Sequence, residues 1–188
     1  MAKVTLNPAL VAIQGHVADM VFKRWEGQEL VAKMPDRTGI VATANQVAQQ
    51  DKFRLAALYG KAALADPDTK QVYEDAAARK GIPVFALTLG DFLNAPAVDE
   101  IDLSGYSGKA NEPIRIRASD DVEVSGVSVA IRDQGGAVLE HGVAAKAAGS
   151  LSWTYTTTTA LQAGQAVSIE VSATDLPGHT TTRTQAKS

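Results

Sequence analysis

From about residue 97 onward the apolar positions recur with a period of two. Ile114, Ile116 and Ala118 alternate with Arg115, Arg117 and Ser119, and Val127, Val129 and Ile131 alternate with Ser128, Ala130 and Arg132. The same rhythm runs through Leu151, Trp153 and Tyr155, and through Val167, Ile169, Val171 and Ala173. Such alternation puts one face of each strand against a core and the other in water. Weaker extended segments near 98–103, 138–145 and 179–186 bring the count to about seven, and Gly-containing turns at 134–136, 148–149, 163–164 and 177–178 separate them. About seven short alternating strands in ~90 residues predict a sandwich.

The first 96 residues follow other rules. Val17 to Trp25 reads as a strand, Glu26-Gly27 as a tight turn, and Leu30-Val31-Ala32 as the returning strand. Apolar side chains fall on both faces of this ribbon, and two strands alone cannot bury both. Helical spacing begins at Thr43, where Thr43-Ala44-Asn45-Gln46 fits a capping box, and runs to Ala65. Asp66-Pro67 restarts a helix and Lys80-Gly81 ends it. Phe85, Leu89 and Phe92 predict a third short helix within 83–93, stopped by Pro96. The expected class is α+β: a β-ribbon with a helical hairpin over 1–96, followed by a seven-stranded immunoglobulin-like β-sandwich over 97–188.

The sandwich assignment also rests on resemblance. Ala118-Ser119-Asp120-Asp121-Val122, the strand Val127–Ile131, Trp153-Thr154-Tyr155 and Ala173-Thr174-Asp175-Leu176-Pro177-Gly178-His179 resemble bacterial immunoglobulin-like or fibronectin-type repeats. His179 stands where those repeats usually carry Asn. The likeness covers roughly 97–186 and implies a fold, not an activity. The N-terminal part resembles uncharacterised bacterial proteins of similar length, which implies no function.

Composition narrows the chemistry. The 188 residues contain no cysteine, so disulfides, thiolate catalysis and cysteine-bound metals are excluded. Net charge is −3, and the basic cluster Lys23, Arg24, Lys33 and Arg37 is interrupted by acidic residues, so no nucleic-acid partner is expected. No apolar run reaches the ~18 residues of a transmembrane helix. The first residues lack the layout of a signal peptide, leaving either the cytoplasm or an extracellular surface or assembly as the expected location.

Candidate sites are few. His16, His141 and His179 lie in different predicted elements without metal-ligand spacing. Gly105-Tyr106-Ser107-Gly108-Lys109 fails as a nucleophile elbow, since Lys109 replaces the final Gly, and as a P-loop, since Leu103 stands at the required upstream Gly. Asp120, Asp121 and Asp175 are the candidates for Ca²⁺, although Asp in such turns ordinarily bonds nearby N–H groups, and that is the reading adopted. No cofactor and no enzyme activity are expected. The leading expectation is a structural subunit that self-assembles or docks into a larger bacterial or phage assembly, an extracellular filament among them, with a homo-oligomer or another protein as partner. Its contact would run through Val4, Leu6, Leu10, Val11, Ile13, Met20, Phe22 and Trp25. A surface ligand- or glycan-binding module is the alternative, and a hydrolase with an unrecognised carboxylate site the third.

Overall fold

The computed structural model of the protein describes residues 2–3, 15–36, 38–39, 41–162 and 164–187. Among the described residues it has three helices and antiparallel sheets, an α+β arrangement, and it divides into two compact units, Met1–Ala44 and Asn45–Ser188. The expected division at 96/97 differs from this one, because the helices share a core with loops of the sheets that follow them. Among the described residues no helix is long and apolar enough to cross a membrane.

The first unit holds β1 (Ala2–Lys3), β2 (Gly15–Val17), β3 (Met20–Trp25) and β4 (Gln28–Lys33) in one sheet of order β1-β4-β3-β2. Glu26 and Gly27 connect β3 to β4 with φ of 50° and 77°. Two consecutive positive φ values make the tight turn whose twist matches a hairpin. The strand expected over 17–25 is broken at Ala18-Asp19, where Ala18 takes φ 51° and the chain reverses to pair Val17 with Met20. The ribbon is therefore a small sheet.

The second unit opens with α1 (Ala44–Ala63), α2 (Pro67–Lys80) and α3 (Val84–Leu93). Asp66 caps α2, accepting from the Thr69 N–H at 2.9 Å, with Pro67 in the first turn. Gly81 ends it at φ 68°, donating its N–H to Ala77. Ala63, Tyr73, Ala76, Ala77 and Leu87 form the helical core, against which Val122 and Leu176 of the following strand-end loops are packed. At Gly60 a Cβ would come within 2.5 Å of Thr88 Oγ1, so α1 approaches α3 through the missing side chain.

Eight strands follow: β5 (Ala97–Asp102), β6 (Pro113–Ser119), β7 (Val124–Arg132), β8 (Val138–Val143), β9 (Ala145–Lys146), β10 (Trp153–Thr156), β11 (Val167–Asp175) and β12 (Thr180–Lys187). They form two four-stranded antiparallel sheets, β5-β6-β10-β9 and β12-β11-β7-β8. The chain changes sheet between β8 and β9 at buried Ala144. The alternating rows named above meet in one core: Ile114, Ile116, Trp153 and Tyr155 from one sheet face Val127, Val129, Ile131, Val167, Ile169, Val171 and Ala173 from the other. Leu151 departs from its expected inward position. It precedes β10 in a bend and is exposed, because pairing with Ile116 starts only at Trp153. Thr180–Thr184 lies on the edge strand β12, as its polar faces implied.

Charged side chains also enter the inward rows, Asp175 at the end of β11 and Glu140 on β8. Glu140 of β8 points inward and accepts from Tyr155 Oη at 2.7 Å, Thr158 N at 2.6 Å and Thr159 N at 3.0 Å. Burial pushes its carboxyl up, but the bonds from Thr158, Tyr155 and Thr159 outweigh burial and hold it below its ordinary value. Tyr155, buried and donating to that carboxylate, is pushed up to about 12. Glu140 thus ties the edge of one sheet to the chain leaving the other.

Trp153 is the largest side chain in the core and is 8% exposed. Replacing it with Ala is expected to cost ~3–5 kcal/mol, read as a lower midpoint in urea unfolding; an unchanged midpoint would move Trp153 out of the core.

Candidate functional site

Within the second unit, the helices meet the strand-end loops over a cluster of polar side chains. Local sequence places each one. Thr88 and Asp91 share the face of α3 that carries Leu87, and all three are buried in an otherwise apolar helix. Tyr73 lies on the buried face of α2 with Ala76 and Ala77, and Tyr59 is a turn before the end of α1. Asp120 follows β6, and Asp175 closes β11.

The cluster is a chain of hydrogen bonds. Tyr59 Oη lies 2.8 Å from Tyr73 Oη, and Tyr73 Oη donates to Asp91 Oδ2. Asp91 is 0% exposed. Its other oxygen, Oδ1, and Asp120 Oδ1 are both buried without a donor. The two carboxyls interact with each other, which favours the protonated form of Asp91. Burial is the main force on Asp91; the Tyr73 hydroxyl opposes it, while Asp120 and the charge of Asp175 add to it, and the carboxyl is pushed up to about 7. Burial first, then the bonds to Asp91 and Tyr59, hold Tyr73 far above the ordinary phenol range. Asp175 faces His179, with Oδ2 3.1 Å from Nδ1 and Oδ1 accepting the His179 N–H at 2.6 Å. The His179 ring stands edge-on to Phe92 of α3, centroids 5.0 Å apart.

This arrangement can hold a proton and can lock helices to strand ends. Surface grooves are found away from this cluster. One, of about 430 Å³, is lined by Ser107, Lys109, Gln162 and Lys187 among others.

The three calcium candidates separate. Asp120 and Asp175 both act on Asp91, whereas Asp121 turns to Lys80 Nζ at 3.6 Å and Asn94 Nδ2 at 2.6 Å. Asp120 Oδ2 accepts the Val122 N–H at 3.3 Å, and Asp175 bonds His179 N–H, the turn-forming role considered above. Among the described residues no three His, Asp or Glu side chains converge as metal ligands. His16 and His141 are exposed on β2 and β8. The Ser107-Gly108-Lys109 turn aims three successive N–H groups at one anion, and that anion is the chain's own Glu112, at 2.6, 3.1 and 3.0 Å. The Ser107 hydroxyl above all, with these N–H groups, holds Glu112 down to about 2.

Of the expected contact residues, Val4, Leu6, Leu10, Val11 and Ile13 lie outside the described residues. Trp25 is 63% and Met20 44% exposed, while Phe22 is half-buried. Asp91, Tyr73, Glu112 and Glu140 escaped sequence reasoning. Asp91 had a signal: it is the one charged residue in the ten-residue helix Val84–Leu93.

No protein family and no curated protein matches the chain. Two solved structures are similar to 48% of it. An engineered protein is 24% identical with a TM-score of 0.37, and the chain spans 19% of its length. CopC from Methylosinus trichosporium OB3b is 18% identical with a TM-score of 0.37, over 89% of its length. At such scores neither carries an argument about this chain.

The buried proton has a measurable consequence. Unfolded, Asp91 titrates at its ordinary 3.8; folded, at about 7. The folded chain holds a proton that the unfolded chain has lost between those values, so this contribution to stability is complete below about pH 4 and lost as pH rises to about 7. Glu112 and Glu140, held low, act oppositely and only at lower pH. Thermal melts should therefore fall in midpoint from pH 5 to pH 7.5. Asp91→Asn, whose amide does not titrate and donates permanently in place of the Asp91 proton, should flatten that fall; a variant with the native slope would assign the proton elsewhere.

Proposed function

We propose that this protein is a structural subunit that self-assembles or docks into a larger assembly, and that residues 97–188 are an immunoglobulin-like sandwich carrying it. The observation that bears most weight is the exposure of Trp25 and Met20, together with Val17, on the small N-terminal sheet. Val17 and Met20 are cross-strand partners, and Trp25 stands at the far end of β3 on the other face; exposed apolar side chains on both faces of so small a sheet favour an interaction surface, and aromatic residues of this kind anchor protein interfaces. The buried polar cluster supports the same reading from the other side. Its carboxyls are committed to one another, to tyrosines and to turns, and Asp91 is sealed from solvent, as a structural joint requires and a substrate site does not. The two sheets, sharing one core with a chain that changes sheet at Ala144, favour the immunoglobulin-like assignment.

The test is the size of the full-length protein in solution, by sedimentation velocity over a wide concentration range, with electron microscopy of the larger species. Oligomers are expected, and Met20→Ser with Trp25→Ser should weaken them at least tenfold. Protein that remains monomeric at every concentration would overturn the assembly reading.

A further inference from the structure

Helix α1 carries more surface than the second unit uses. Its packed face is Ala56, Gly60 and Ala63. About a third of a turn away, at ~100° per residue, Ala48, Asp51, Leu55, Leu58 and Ala62 follow one another at spacings of three and four, and every one of them is exposed. Leu55 is 52% and Leu58 58% exposed. Alternating three–four spacing is the seam along which two helices pack side by side. A helix destined for solvent on that face has no use for two leucines at its centre.

We propose that α1 pairs with α1 of a second copy of this chain, antiparallel, about a two-fold axis between Leu55 and Leu58; this rests on the assembly reading above and specifies one of its contacts. The occupant follows from the seam's own symmetry. Antiparallel pairing about that axis sets Leu55 against Leu58 of the other copy and Leu58 against its Leu55, so four leucines close the centre. The same register brings Asp51 beside Lys61 of the second copy at each end of the leucine cluster. Within one helix those two residues are ten apart, ~15 Å along the axis, so Asp51 reaches Lys61 only across the pair. In its own chain Asp51 pairs with Arg54 at 3.0 Å, and both side chains are exposed. Small Ala62 stands opposite Asp51 and leaves room for it. A two-fold contact of this kind is self-complementary, as an isologous interface must be.

The experiment is sedimentation equilibrium on full-length protein and two variants, with circular dichroism to verify folding. Leu55→Glu with Leu58→Glu should raise the dissociation constant more than tenfold while the melt stays cooperative, since both side chains are exposed. Asp51→Lys should weaken association, and Asp51→Lys with Lys61→Asp should restore it, because the reversed pair again meets across the axis. If native protein associates and the leucine variant associates equally, α1 is not the contact, and the assembly reading stands without it. If the leucine variant dissociates but the double charge reversal fails to restore association, the antiparallel register is overturned. Native protein that never associates would overturn both the assembly reading and this one.

Discussion

The two inward rows on β7 and β11 are what the second unit is built on. Val127, Val129 and Ile131 lie beside Ala173, Val171 and Ile169 in direct register, and all are buried. Burying each Val or Ile side chain is worth ~1.5–3 kcal/mol, and with aromatics at only 5% of the chain these largely β-branched rows supply a large share of the core. This pairing holds Asp175 opposite Val124 at the start of β7, while Asp120 lies in the connection from β6 of the other sheet into β7, so the polar cluster under the helices inherits its geometry from the sheets.

Two buried carboxyls join parts of the unit that the aliphatic core does not reach, and they solve the cost of burial in opposite ways. Glu140 keeps its charge and surrounds it with donors from Tyr155, Thr158 and Thr159. Asp91 has one phenol and a second carboxyl for company and keeps a proton instead. Removing a donor from the first leaves an uncompensated charge; raising pH at the second creates one. The helical joint is thereby weakened as pH rises toward about 7, and the sheet-to-sheet joint as pH falls below the ordinary carboxylate range.

The surface has a matching economy. Anions are consumed internally: the Ser107–Lys109 turn takes Glu112, and Asp121 takes Lys80 and Asn94. Large apolar side chains are exposed as well, among them Trp25 and Met20 on the small sheet and Leu55 and Leu58 on α1. Those residues, more than any polar constellation, motivate the proposed assembly.

The helix boundaries at Asp66-Pro67 and Lys80-Gly81, the turn at Glu26-Gly27 and the alternation of Val167–Ala173 were legible in the sequence, because each depends on residues within one turn or one strand of one another. The polar edge strand β12 was legible for the same reason. The carboxyl cluster was not, apart from the calcium candidates Asp120 and Asp175, whose turn-forming bonds are local. Asp91 is pushed up by burial and by Asp120, twenty-nine positions away, against the hydroxyl of Tyr73, eighteen positions back, and Glu140 takes its donors from 15 to 19 residues downstream. Leu151 sits outside the core because pairing with Ile116 decides where β10 begins. Local spacing determines which face a side chain can share; only the meeting of distant segments decides what occupies that face and which polar atoms it satisfies.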